Sequence, residues 1–475
     1  MKPQPLYLNG QWVHTAKSIR VVNPATTEVI AEVSTVDRAA VARAIEDAHV
    51  AGAGWHALTG LARGAYLFAV ANELERRTEE IARIITLENG KPLAQSRGEV
   101  GMSVDHLRWF AEEARRVYGR VVPPQAMGKR HLVIKSPLGV VAAISPWNFP
   151  LVLAVRKIAP ALAAGCTVIL KPASATPLCA VALAECFDHG KIPKGVFQLV
   201  AGPAAEIADE FLENRRCRKI TFTGSTEVGR NLIQGAARHI KPLSLELGGH
   251  APVLVFEDAD VDAAVAGVII TKFRNTGQSC IASNRIYVQR SIYETFLERL
   301  RRQTEALKIG NGLEDGVQIG PLINELGLNK ALEHIEDATQ RGARRLCGGR
   351  RVDRPGWFLE PTILADVPAD AVCLHEETFA PVAPVCAFDT EAEAIERAND
   401  SVYGLSAYAF TRDLARAFRV MEALEAGTIG INDAVPTTSQ CPFGGVKESG
   451  WGRELGQEGL DAFLETKHVS LGLGI

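Results

Sequence analysis

Cys280 lies in the stretch FRNTGQSCIASNR (273–285), among glycine, glutamine, serine, asparagine and two arginines. Most cysteines in soluble proteins are small buried hydrophobes. This one follows an apolar run (265–270) and sits where the chain turns polar and glycine-punctuated. A nucleophilic cysteine must ionise, which calls for a polar or electropositive, accessible setting, and Gly277 supplies a turn that gives access. A thiolate adding to a carbonyl creates an oxyanion, which needs preorganised donors. Asn148 in SPWNFP (145–150), between prolines that stiffen its loop, is one such donor, although an asparagine there also reads as a turn former. Glu246 in LELGG (245–249) is a carboxylate at the end of an apolar strand. Burial would raise its proton affinity and fit it for base work; the competing reading is a hydrogen-bonded structural glutamate.

The elements that must position these groups are legible in the apolar pattern. From residue 138 onward, short β-branched runs alternate with helical spacings: GVVAAIS, PLVLAVRKIAPALAAG, TVILKP, PLCAVALAECFDHG, VFQLVAG, KITFTGS and PLSLELGG. Such alternation predicts βαβ units and a parallel sheet, with ligands gathering beyond the carboxyl ends of the strands. Four loops then fall at strand exits: SPWNFP, KPASATP (171–177), FTGSTEVG (222–229) and LELGG. FTGSTEVG opens a helix, and free amides at a helix start suit a phosphate. Its glycines, Gly224 and Gly229, do not form the GxGxxG spacing, so a plain strand-to-helix turn is the alternative. Lys171 stands at a strand end, where it reads equally as a ribose or phosphate contact and as a surface lysine. A second alternating block runs from 252 to about 432, and 36–118 reads as long amphipathic helices. The predicted fold class is α/β, with two doubly wound domains, the first preceded by helices.

With 475 residues, 47% hydrophobic, 23% charged and a net charge of −3, the chain has the balance of a globular protein with ample core material. Near-neutral charge argues against nucleic acid or an acidic membrane as the main partner. The apolar region 151–170 carries Arg156, Lys157 and Pro160, which argues against a membrane span. The first residues lack a signal-peptide layout. Nine cysteines without CxxC pairs fit a reducing compartment, with neither a disulfide framework nor a metal site. The expected location is the cytoplasm. Cys166, Cys179, Cys186, Cys373 and Cys386 read as core packing.

Taken together, PWNFP, KPASATP, FTGSTEVG, LELGGHAP, NTGQSC, EETFAP (376–381) and PFGGVKESGWGRE (442–454) resemble the aldehyde dehydrogenase superfamily over nearly the whole chain. The resemblance implies a dinucleotide-binding domain (1–116 and 137–249), a catalytic domain (250–450) and a small β bridging and oligomerisation element (117–136 and 465–475). It implies a homodimer or homotetramer acting on a small-molecule aldehyde. It implies Cys280 as nucleophile, Asn148 and the Cys280 amide as oxyanion hole, and Glu246 as the base for hydrolytic water. Glu377 would hold the nicotinamide ribose and Phe379 would pack beside the nicotinamide. Lys171 would meet the adenosine ribose, and Trp147, Gly224 and Ser225 would lie along the pyrophosphate.

Within the superfamily the chain is most similar to succinate-semialdehyde dehydrogenases. There, the arginines corresponding to Arg156 and Arg274 hold the distal carboxylate of the substrate, which guanidinium matches bidentately. The third contact of that branch, a serine, is Thr437 here. Glutarate semialdehyde, 2-oxoglutarate semialdehyde and broader aliphatic aldehydes are alternative substrates, and a catalytically silent binding protein is the alternative of another class. A second cysteine that forms a redox switch in some members is Ala282 here. Ser174 occupies the position where NAD-preferring relatives commonly carry a glutamate, so NADP is expected to serve at least as well as NAD, with no metal involved.

Overall fold

The computed structural model describes residues 2–474. After two small N-terminal hairpins come four helices: α1 (Arg38–Ala57), α2 (Gly60–Arg76), α3 (Thr78–Asn89) and α4 (Leu93–Glu113). The caps follow the sequence. Asp37 and Thr59 accept backbone N–H groups at the starts of α1 and α2. Gly90, with φ of 90°, ends α3 in the left-handed region.

The first sheet has six strands, in the order Gly450–Trp451, Leu243–Glu246, Cys217–Thr223, Val140–Ile144, Thr167–Lys171 and Phe197–Leu199. All neighbours pair in parallel except the outermost Gly450–Trp451, which is antiparallel. The chain starts in the middle at Val140–Ile144, winds to one side, then crosses to the other. The resulting switch point lies between Val140–Ile144 and Cys217–Thr223, where two loops must diverge and leave a crevice. Register levels these loops: Ile144 pairs with Lys171 and with Phe222, and Thr223 pairs with Glu246. Helix α5 (Val152–Ala164) is buried along its whole length. Helix α6 (Leu178–His189) follows the KPASATP loop.

The second sheet has seven strands, in the order Arg344–Cys347, Thr362–Ala365, Val382–Phe388, Ser283–Gln289, Ala251–Val255, Ser406–Phe410 and Thr428–Ile431. It is parallel apart from its first edge strand. The two sheets carry separate apolar cores. A third sheet pairs Leu464–Gly472 with Lys129–Pro137, and that strand with Arg120–Val122, all antiparallel. The sequence order hides one crossing: the short strand Gly450–Trp451, far along the chain, completes the first sheet. Among the described residues no helix is long and apolar enough to cross a membrane.

Candidate active site

The carboxyl ends of the first sheet face the amino ends of the second. Cys280 lies just before the strand Ser283–Gln289, and Glu377 and Phe379 lie just before Val382–Phe388. The strand-exit rule therefore applies to one sheet only; the second contributes the loops that enter its strands. Backbone approaches close the junction. A Cβ on Gly249 would stand 2.1 Å from the carbonyl oxygen of Cys280, so only glycine lets LELGG meet the cysteine loop. Gly277, at φ of 73°, touches the Ala380 carbonyl in the same manner.

The result is a cavity of about 210 Å³ lined by Trp147, Asn148, Gly224, Ser225, Leu247, Gly248, Cys280, Glu377 and Phe379, with Pro146 and Thr223. It sits at the switch point of the first sheet. The Asn148 side chain donates from Nδ2 to the Gln278 carbonyl at 3.2 Å. An amide NH₂ has two donors, so the second remains for an oxyanion near Cys280. Asn275 and Thr276, just ahead of the cysteine, hold left-handed backbone at φ of 48° and 57°. That strain is held in place by Gln95, which accepts from the Asn275 amide at 2.8 Å, and by Thr276 Oγ1, which donates to Gly320 at 3.1 Å.

Electrostatics depart from the expectation of an electropositive cysteine. Burial first, then the carboxylates of Glu377 and Glu246, push the Cys280 thiol up to about 12, and Arg156 only partly opposes them. In this state the cysteine rests as a thiol. Burial, aided by Glu454, likewise holds Glu246 well above the usual carboxylate range. Both Glu246 oxygens are buried without a hydrogen-bond partner. The side chain is thus a buried carboxyl with raised proton affinity and no structural hydrogen bond. Glu377 is raised to about 7, chiefly by burial, while its Oε1 accepts from the Gly249 amide at 3.2 Å.

The profile of the aldehyde dehydrogenase family matches residues 12–469. The chain belongs to the aldehyde dehydrogenase family. A glutarate-semialdehyde dehydrogenase of Pseudomonas aeruginosa is 48% identical, covering 99% of this chain and 98% of its own. The NADP(+) succinate-semialdehyde dehydrogenase of Escherichia coli is 47% identical, covering 99% and 98%. The crystal structure of an NADP-dependent enzyme of E. coli superposes with a TM-score of 0.98 at 47% identity, covering 99% of this chain and 98% of that one. The mixed α/β fold with parallel-sheet domains is that of the aldehyde dehydrogenases.

The dehydrogenase's cavity fits a dinucleotide on several grounds. Phe379, with φ of 54°, turns its ring edge-on to Trp147 at a centroid distance of 5.5 Å, making an apolar wall beside Cys280. Glu377 keeps a second oxygen close to Gly248. Ser225 caps the helix Thr226–Ala236, its Oγ accepting from the Val228 amide at 3.3 Å, so only its hydroxyl proton is free to meet a phosphate. Lys171 is buried and donates to the Pro172 carbonyl at 3.0 Å, and Ser174 is exposed on the same loop.

Neither Arg156 nor Arg274 lines this cavity. Arg156 is buried, its Nε lacks a partner, and its guanidinium lies 5.0 Å from the Phe443 ring centroid. Arg274 touches only Met102 Sδ, at 3.8 Å, and the Phe149 ring, at 5.1 Å. Among the described residues neither has an ion-pair partner, and burial lowers the proton affinity of both. Thr437 Oγ1 is also buried and unpartnered.

Several polar residues around this site are absent from the sequence reading. Lys157 makes a buried ion pair with Glu454 and donates to Thr223 Oγ1 at 2.6 Å. Lys91, Glu99, Asn89, Asn275 and Gln278 hold the loops that carry Asn148 and Cys280. One signal was available: charged residues inside apolar helical runs, such as Lys157 beside Arg156, need a buried partner.

Proposed function

We propose that this NAD(P)-dependent aldehyde dehydrogenase oxidises a short aldehyde bearing a distal carboxylate, with succinate semialdehyde preferred and NADP used at least as well as NAD. The observation that carries the reading is two arginines without an ion-pair partner, Arg156 with a buried unpartnered Nε and Arg274 held only by Met102 Sδ and the Phe149 ring, together with a buried unpartnered Thr437 hydroxyl. Desolvated, uncompensated cations are costly. A ligand carboxylate supplies what they lack. The named activities of the glutarate- and succinate-semialdehyde relatives support an acid semialdehyde and leave glutarate semialdehyde as the alternative.

The chemistry follows from the residues. Cys280 loses its proton to solvent through the cavity, and its sulfur bonds to the aldehyde carbon. The remaining Asn148 N–H and the Cys280 amide receive the oxyanion, at the point where charge develops. A bound oxidised nicotinamide dinucleotide would supply the acceptor for the hydride that leaves the thiohemiacetal carbon, so that the carbonyl reforms as a thioester on sulfur. Glu377, Phe379, Trp147, Lys171, Gly224, Ser225 and Ser174 would hold that dinucleotide. Glu246, in its ionised form, then takes a proton from water as the water oxygen bonds to the thioester carbon, and returns it to the leaving sulfur. The carbon–sulfur bond breaks, the carboxylate product leaves, and the thiol is restored. Covalent capture divides one hard oxidation into two easier steps.

The partner reading is a homodimer or homotetramer built through the three-stranded element (117–136 and 465–475), where Tyr118, Val121, Met127, Leu471 and Leu473 are exposed. A cytoplasmic location remains our reading of the cysteine usage. The test is steady-state kcat/KM over a chain-length series of acid semialdehydes and their uncharged counterparts, with both dinucleotides. Succinate semialdehyde should lead and NADP should match or exceed NAD. A hundredfold preference for NAD, or an unchanged ratio in Ser174→Glu, refutes the cofactor reading.

A further inference from the structure

Lys91 and Glu99 form the most deeply buried ion pair in the described protein: both side chains are 0% exposed and Nζ stands 2.6 Å from Oε2. Neither touches a reacting group. Their remaining bonds all converge on one segment. Lys91 donates to the Asn148 carbonyl at 2.7 Å and lies 3.9 Å from the Phe149 ring centroid. Glu99 Oε1 accepts from the amides of Leu151 at 2.9 Å and Val152 at 3.2 Å. The Asn148 carbonyl is completed by Asn275 Nδ2 at 2.8 Å, from the loop that leads to Cys280. Asn89, two residues before Lys91, donates to the Trp147 carbonyl at 2.9 Å.

We propose that the Lys91–Glu99 pair is a positioning device that fixes Asn148 for the oxyanion and, through the same carboxylate, the first turn of α5 on which Arg156 stands. The inference rests on the proposed role of Asn148. A carbonyl with both lone pairs taken cannot rotate, so the Asn148 backbone is pinned between the turn that joins α3 to α4 and the cysteine loop. Its side chain keeps only χ1 and χ2, which the bond to the Gln278 carbonyl restricts. Glu99 joins that pinned peptide to the start of α5, so the oxyanion donor and the carboxylate clamp share one support. An apolar pair of equal volume would fill the same space and hold neither.

The test is a mutant cycle on kcat per titratable Cys280 thiol, using succinate semialdehyde and butanal. Asn148→Ala should lower kcat by about a hundredfold or more. Lys91→Met should lower kcat by at least about tenfold on both aldehydes with little change in KM, being a weaker form of the same loss. In the Lys91→Met/Asn148→Ala double variant the lysine should cost less than about threefold more, since its effect passes through Asn148. Glu99→Gln should additionally raise KM for succinate semialdehyde more than for butanal. Where Lys91→Met does not fold, Lys91→Gln/Glu99→Gln keeps packing while falling short of the Asn148 carbonyl, with the same non-additivity expected. A Lys91→Met kcat within twofold of wild type, or an equal lysine penalty with and without Asn148, overturns the device while leaving the oxyanion reading intact. Full kcat in Asn148→Ala overturns the oxyanion reading and the device with it.

Discussion

At the residue scale, the proposed carboxylate clamp rests on two arginines, and substrate choice tests it. Removing Arg156 or Arg274 leaves the substrate carboxylate desolvated and short of a partner, which costs about 2–5 kcal/mol. KM for succinate semialdehyde should therefore rise at least about thirtyfold in either alanine variant. Butanal, which has no carboxylate, should change by no more than about threefold. Equal losses on both aldehydes would show that the arginines support the fold and not the substrate. A second outcome concerns the thiol. Glu377 is the leading charge opposing ionisation of Cys280, after burial. It is itself raised to about 7, so at pH 9 it stands ionised. Glu377→Gln should then alkylate faster with iodoacetamide than wild type at pH 9. In wild type the rate should keep rising with pH from 7 to 10, because the thiol lies at about 12. A plateau below pH 9 would contradict the resting thiol.

At the element scale, the segment at the end of α3 acts as a strut between helices and loops. Glu88 shows this beside Lys91. Its carboxylate accepts from Leu178 at 2.7 Å and Cys179 at 2.9 Å, which are the first amides of α6. Burial nevertheless pushes it up to about 8, against 4.5 for an unperturbed glutamate. Between those two pH values the folded chain holds a proton that the unfolded chain has lost. Stability from this group therefore falls as pH rises through that window. Glu88→Gln removes the titration but keeps one acceptor. Its Tm relative to wild type should become more favourable between pH 5 and pH 8.5, followed by tryptophan fluorescence. A Tm difference that does not move with pH would mean that the helix amides keep Glu88 ionised throughout. The strut was hidden in LENGKPL because each of its residues reads, locally, as a helix end followed by a turn. Its long-range partners lie 57 to 91 residues further along the chain.

At the scale of the molecule, the three-stranded element stands outside both cores. Leu464–Gly472 pairs along its whole length with Lys129–Pro137. Tyr118, Val121 and Met127 remain 70%, 71% and 99% exposed. Apolar side chains on an open sheet invite a second copy. Deleting 464–475 should convert the assembly to monomers or aggregate by light scattering and lower Tm, although Cys280, Asn148 and Glu246 are retained. Unchanged mass would place the interface elsewhere. The sequence by itself determined the alternation of strands and helices, because apolar period is a local property of the chain. It also determined the loops at the strand exits, since a glycine-rich turn or a proline-braced asparagine carries its conformational preference within a few residues. The family motifs marked Cys280, Asn148 and Glu246 as the candidate nucleophile, donor and base for the same reason. Tertiary structure alone decided that the second sheet offers its amino ends to the site. It also decided that the Cys280 thiol rests unionised, and that Lys91, Glu99, Asn275, Lys157 and Glu454 surround the chemistry. Burial and the field of distant carboxylates depend on which segments meet, and no local pattern encodes that meeting.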